Sequence, residues 1–240
     1  MPDVAEKILA DGQADMVSMA RPLLADSQWV RKAQAGKSQL INTCIACNQA
    51  CLDHVFENKK ASCLVNPRAC RETELNFTPA LQKKRIAVVG AGPAGLSFAT
   101  VAAERGHAVT LFDAAGEIGG QFNYAKQIPG KEEFHETIRY FENLLAQTGV
   151  ALKLGQNAQA AQLHADGFDE VIIATGITPR SIKLTGHDHS KVLSYLDVLR
   201  DKKPVGQSVA IIGAGGIGFD VAEYLLHRES ATLDLNRWLQ

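Results

Sequence analysis

Four cysteines, Cys44, Cys47, Cys51 and Cys63, fall within twenty residues at the spacing C-x2-C-x3-C-x11-C. Four thiolates suit either a tetrahedral zinc ion or an iron-sulfur cluster. Zinc sites usually draw on two CxxC-like pairs, so three close cysteines with a distant fourth favour a 4Fe-4S cubane. The fifth, Cys70, reads as a small apolar residue or free thiol rather than a ligand. The opening MPDVAEKILADG is acidic where a signal peptide needs a basic stretch and then an apolar one, so a cytoplasmic address is expected. In that compartment the thiols are expected to be metal ligands, not disulfides.

A second group of residues is glycine-rich. Gly90-Ala91-Gly92-Pro93-Ala94-Gly95 directly follows the apolar run RIAVV, and Asp113 ends the next apolar run. In this fingerprint Gly90 permits a tight turn, Gly92 lets the backbone approach a pyrophosphate, and Gly95 lets helix and strand pack closely. The helix opening at Pro93 and Ala94 offers free N–H donors and a positive dipole end to phosphate. Asp113 can accept from a ribose hydroxyl and would repel a 2′-phosphate. A second loop, with Gly213, Gly215 and Gly218, follows VAII, but no clear strand comes after it to end in a ribose reader. That unit therefore does not separate NADH from NADPH, and weak binding or none is expected there.

The elements that position these loops follow from periodicity. The 240 residues are 46% hydrophobic and 21% charged with a net charge of -1, which excludes a disordered chain and gives no basic track for nucleic acid. Ile86 to Ala103 is uncharged, but Gly90, Gly92, Pro93 and Gly95 interrupt it, so it reads as strand, turn and helix and not as a membrane span. VAEKILADG, ADMVSMA and SQWVRKAQAG predict helix, strand and helix over residues 1–40. A lone parallel strand cannot bury itself, so this piece reads as the torn end of a larger domain. The cysteines occupy 41–75, and RETELNFTPALQKK reads as a linker. A βαβ pattern then runs from Arg85 through HAVTLFD, continuing with the helix FHETIRYFENLLAQTG and the strands VALKLG and FDEVIIATG. The expected class is α/β, with a Rossmann-like domain over 76–204 and an unfinished second unit over 205–240.

Gly119-Gly120-Gln121 and Ala174-Thr175-Gly176, taken with GAGPAG, resemble the FAD domain of flavoproteins with two dinucleotide domains. There the double glycine and the ATG turn border the flavin, and the downstream GxGxxG holds NAD(P)H. With NTCIACNQACLDHVFENKKASCLVNPRAC, DAAGEIGGQFNYAKQIPGKEEF and VLSYLDVLRDKKPVG, the chain to about Leu226 resembles the Old Yellow Enzyme-like iron-sulfur flavoproteins, the family of NADPH-dependent 2,4-dienoyl-CoA reductase and trimethylamine dehydrogenase. The resemblance implies an FMN-bearing TIM barrel before the cluster, FAD and NADPH domains after it, and an unsaturated fatty acyl-CoA as acceptor. Residues 1–40 match the end of that barrel, where DMVSMARPLLAD makes Ala20 and Arg21 the candidates for the FMN phosphate. The acids that protonate the substrate belong to earlier barrel strands, so no catalytic residue is assigned, neither Tyr124 nor Tyr140 nor any histidine. The expected protein is an electron-transfer segment, inactive alone on a thioester. The reading from another class is a zinc-stapled, non-redox dinucleotide-binding protein. The tail ESATLDLNRWLQ departs from the family pattern.

Overall fold

The computed structural model describes residues 1–180, 182–227 and 229–239. Arg228 and Gln240 of the C-terminal tail lie outside the described residues. Three helices come first: α1 (Pro2–Ala10), α2 (Arg21–Ala25) and α3 (Trp29–Gln34). The cysteine segment holds the short α4 (Leu52–Phe56). Then β-branched and apolar residues build β1 (Arg85–Val89), and the chain continues through α5 (Pro93–Glu104) to β2 (Ala108–Asp113). After α6 (Phe122–Ala125) come α7 (Glu133–Thr148), β3 (Ala151–Leu154), α8 (Ala160–Ala165) and β4 (Glu170–Ile173). The remaining helices are α9 (Tyr195–Leu199), α10 (Gly216–Leu226) and α11 (Leu235–Trp238).

The four strands form one parallel sheet in the order β3-β2-β1-β4. Side chains on β1 alternate between its two faces. Ile86 and Val88 join Leu96 and Ala99 of α5 and Ile138 and Leu145 of α7 in the main core. Ala87 faces the other way, into a smaller cluster with Phe112 and Leu163 of α8. That second layer is thin, and Ile173 on β4 stays 69% exposed. A third cluster joins Ile128, Leu199 of α9 and Val221 of α10, ringed by Tyr124, Tyr195 and Tyr224.

The N-terminal part is held by buried polar contacts. Asp26, 6% exposed, accepts the Gln28 amide at 2.9 Å, the Asn42 amide at 2.8 Å and Lys32 Nζ at 2.6 Å. Asn42 Nδ2 donates to the Val65 carbonyl and Asn66 Nδ2 to the Leu24 carbonyl, which lashes the cysteine segment to α2. Arg139 of α7 donates to the carbonyls of Gln39 and Ile41 and so clips residues 39–43 onto the sheet domain. The linker expected at 71–84 has no helix or strand, but it is docked, since the Ala80 amide donates to the Arg105 carbonyl at 2.9 Å.

Two expected strands are corrected. ADMVSMA is not a strand and Met16 is 78% exposed, so the expected βα step within residues 1–40 is represented by helices alone. VAII before the second glycine loop pairs with no strand among the described residues, and Ile212 is 70% exposed. The cause is the same in both places. A parallel strand gains its hydrogen bonds and burial only from neighbours, and here the described residues offer none. No described helix is long and apolar enough to cross a membrane.

Candidate functional site

The sheet reverses its winding between β1 and β4. From β1 the chain runs outward to β2 and β3, then returns to place β4 on the other side of β1. Ligands of open α/β sheets sit at this switch point, beyond the carboxyl ends of the strands. Gly90 and Ala174 are the residues that immediately follow β1 and β4, and they touch. With φ at 112°, Gly90 adopts a backbone that side chains avoid, and a Cβ there would overlap the Ala174 carbonyl and lie 2.9 Å from the Thr175 nitrogen. A Cβ at Gly95 would overlap the Gly90 carbonyl oxygen, so α5 can press against the turn only as glycine. Gly92, by contrast, caps α5 and faces open space, with nothing within 4 Å of where its Cβ would be. The amides of Pro93's successors in the first turn of α5 are left without helical partners beside that space.

The double glycine joins the same crevice. The Gly119 amide donates to the Ala91 carbonyl at 2.8 Å, and Gly120 packs on Gly92, where an added Cβ would stand 3.1 Å from the Gly92 Cα. Gln121 accepts from the Tyr195 hydroxyl at 3.2 Å, which ties the loop to α9. Thus Gly90, Gly92, Gly95, Gly119, Gly120, Ala174 and Thr175 meet in one region, Gln121 and Gly176 follow them in the chain, and Pro93 and Ala94 open the helix that starts there.

Asp113 has a further task here. Its Oδ2 accepts the Ala91 amide at 2.6 Å and its Oδ1 the Ala115 amide at 2.7 Å. The carboxylate expected to read a ribose also braces the glycine loop, leaving one lone-pair direction on each oxygen for a ligand.

The second glycine loop repeats the backbone of the first, though nothing stands within 4 Å of an added Cβ at Gly213, whereas Gly90 meets Ala174. Gly213 has φ 116°, Gly215 caps α10 with ψ 178° as Gly92 caps α5 with ψ 179°, and a Cβ at Gly218 would overlap the Gly213 carbonyl oxygen. Lys131 reaches Asp220 of α10 at 2.6 Å and 2.7 Å through both carboxylate oxygens, which fixes this helix against the segment that follows the double glycine.

The cysteine segment begins beside α7, where Arg139 Nη2 lies 3.3 Å from Thr43 Oγ1. Cys44, Cys47, Cys51 and Cys63 are half-buried free thiols, and Cys70 is exposed. Left-handed residues Ala46 (φ 54°) and Asn48 (φ 58°) coil the loop, and the Ala46 amide donates to Cys44 Sγ at 3.4 Å. The Ser62 amide donates to the Ala50 carbonyl at 2.6 Å and so returns Cys63 beside Cys51. Burial pushes the Cys63 thiol above its ordinary value, the Val65 and Asn66 amides pull it back, and Cys44 and Cys47 add to the rise. Cys63 is therefore within electrostatic reach of Cys44 and Cys47. Among the described residues, however, no three His, Cys, Asp or Glu side chains close around a single ion. A zinc ion about 2.3 Å from each sulfur needs the sulfurs within about 4 Å of one another, a convergence that the zinc-stapled alternative requires and that the described residues do not form. The donor set, four thiols with backbone amides aimed at sulfur, is the kind that a sulfur-ligated cluster takes.

Residues 84–234 match the family of pyridine nucleotide-disulphide oxidoreductases. The chain belongs to this family. Membership implies FAD and a nicotinamide cofactor, in keeping with two glycine loops of one geometry. This oxidoreductase is 42% identical over 97% of its length to a metal reductase of Desulforamulus reducens, and 39% identical over 95% to an NADH oxidase of Thermoanaerobacter brockii. It also superposes on a 2-naphthoyl-CoA reductase with a TM-score of 0.91 and 39% identity over 94% of the chain. It spans about a third of each of these proteins, 35%, 36% and 34% of their lengths. The relatives extend the resemblance to flavin-dependent reductases over both the cysteine segment and the sheet domain.

Two features of this oxidoreductase escape sequence reading. The Asp113 brace is invisible because a ribose acceptor and a backbone acceptor have the same residue type. The Lys131–Asp220 pair joins residues that no short motif connects.

Proposed function

We propose that the chain is the electron-transfer segment of an iron-sulfur flavoprotein reductase, with FAD in the crevice between β1 and β4 and a 4Fe-4S cluster on Cys44, Cys47, Cys51 and Cys63. The observation that carries this reading is the meeting of Gly90 with Ala174 and Thr175 at the switch point, beside Gly92, where nothing stands within 4 Å of an added Cβ. FAD held on the amides of α5 would supply a hydride acceptor, and a cluster on Cys44, Cys47, Cys51 and Cys63 would supply single-electron transfer. The protein's part is to hold the pyrophosphate on the amides of α5, to keep the Ala91 amide fixed through Asp113, and to present the thiols at the end of Arg139's clip between α7 and residues 39–43.

By the same reading, 1–40 is the remnant of an FMN barrel, with Ala20 and Arg21 at the phosphate, 41–75 the cluster segment, 76–204 the FAD domain and 205–240 the start of a domain for NADPH, in a cytoplasmic protein. The acceptor is an unsaturated fatty acyl-CoA, a reading supported by similarity to a reductase of a CoA thioester. VAII lies outside the sheet, and the substrate contacts of the family lie on barrel strands that this segment does not hold. The chain alone is therefore expected to pass electrons from dithionite to a dye but not from NADPH to a 2,4-dienoyl-CoA. The assay mixes the chain with FAD, FMN, NADPH and the thioester. Turnover on the order of 1 to 10³ per second would overturn the segment reading.

A further inference from the structure

Arg21 makes a contact that an anion site does not explain. Its Nη1 donates to Asn48 Oδ1 at 2.9 Å, joining the start of α2 to the loop between Cys47 and Cys51. Asn48 sits in the left-handed region at φ 58°, where asparagine is among the few tolerated side chains. Its carbonyl accepts the Asp53 amide at 3.1 Å, where α4 begins. The conformation of this one residue sets the turn that separates the two cysteines. Asn48 is half-buried and Arg21 exposed, so one edge of the guanidinium holds the loop while its other N–H groups face outward.

We propose that Arg21 is a positioning residue for the Cys47–Cys51 loop and acts through Asn48. The inference rests on the reading above that these thiols hold a cluster. It assigns Arg21 a task beside phosphate, because the Asn48 contact uses a single N–H of the guanidinium. A lost hydrogen bond leaves the turn free to relax, and with it the direction of both sulfurs. Hydrogen bonding and charge near the sulfurs also tune a cluster's potential.

The test uses anaerobically purified wild type, Arg21→Ala, Arg21→Lys, Asn48→Gly and the double variant Arg21→Ala/Asn48→Gly. Asn48→Gly keeps the left-handed turn and removes the acceptor alone. Two quantities are read: the rate at which a chelator strips iron, and the reduction potential of the cluster. Arg21→Ala and Asn48→Gly are each expected to speed iron loss about three- to tenfold and to shift the potential. The double variant should be no faster than either single one, because both remove the same bond, and Arg21→Lys should restore part of the loss. An Asn48→Gly chain equal to wild type in both readouts, or fully additive singles, overturns the proposal while leaving the cluster in place. A wild type without iron overturns the cluster reading and this inference together.

Discussion

Gly92→Val is expected to abolish FAD retention in a chain that still folds, whereas Gly95→Val is expected to destroy the fold around the loop. The two glycines are three residues apart and face opposite surroundings. At Gly92 the backbone is extended and nothing stands within 4 Å of an added Cβ, so the side chain enters the space reserved for the pyrophosphate. At Gly95 the added atom would overlap the Gly90 carbonyl oxygen and press on the Ala174 Cβ at 3.4 Å. Relief there requires α5 to separate from β1, and α5 brings Leu96 and Ala99 into the main core. Opening that contact costs on the order of 1–3 kcal/mol or more, as overpacking a tight core does, a large share of a typical domain stability. Far-ultraviolet circular dichroism, a denaturation midpoint and bound flavin separate the outcomes. A Gly92→Val chain that keeps its flavin contradicts the site, and a Gly95→Val chain as stable as wild type contradicts the packing.

Cys63→Ser is expected to lower iron from about four per chain to a small remainder, while Cys70→Ser leaves it unchanged. Cys63 is the distant member of the spacing, brought back by the Ser62 to Ala50 hydrogen bond and flanked by the Val65 and Asn66 amides. Serine keeps the shape but offers a far harder ligand. Cys70 is exposed, and its backbone amide donates to Glu72 Oε1 and not to a sulfur. Iron and sulfide assays with the visible spectrum decide the comparison. Equal iron in wild type and Cys63→Ser would remove this residue from the ligand set.

The sheet domain was legible because each of its parts follows a local rule. RIAVV and AVTLFD are apolar enough to be inner strands, and a glycine loop between strand and helix has one common use. The double glycine and the ATG turn were legible as motifs, yet their contact with Gly90 is a matter of sheet order, which no local pattern contains. ADMVSMA and VAII show the opposite failure. Both have the composition of strands, but strand formation depends on partners, and Met16 and Ile212 stay in solvent. Asp113 is assigned to a ligand by its place in the glycine fingerprint and Arg21 by the family resemblance, and their bonds to Ala91 and Asn48 become visible with the fold. The thiols were found by spacing, while the distances among them belong to a loop built on left-handed Ala46 and Asn48.

Chain purified without oxygen and analysed for released flavin, iron, sulfide and zinc tests the flavin and the cluster in one preparation. About one FAD with about four iron and four sulfide per chain is the expected result. FMN as the sole flavin, or about one zinc with neither iron nor sulfide, contradicts it.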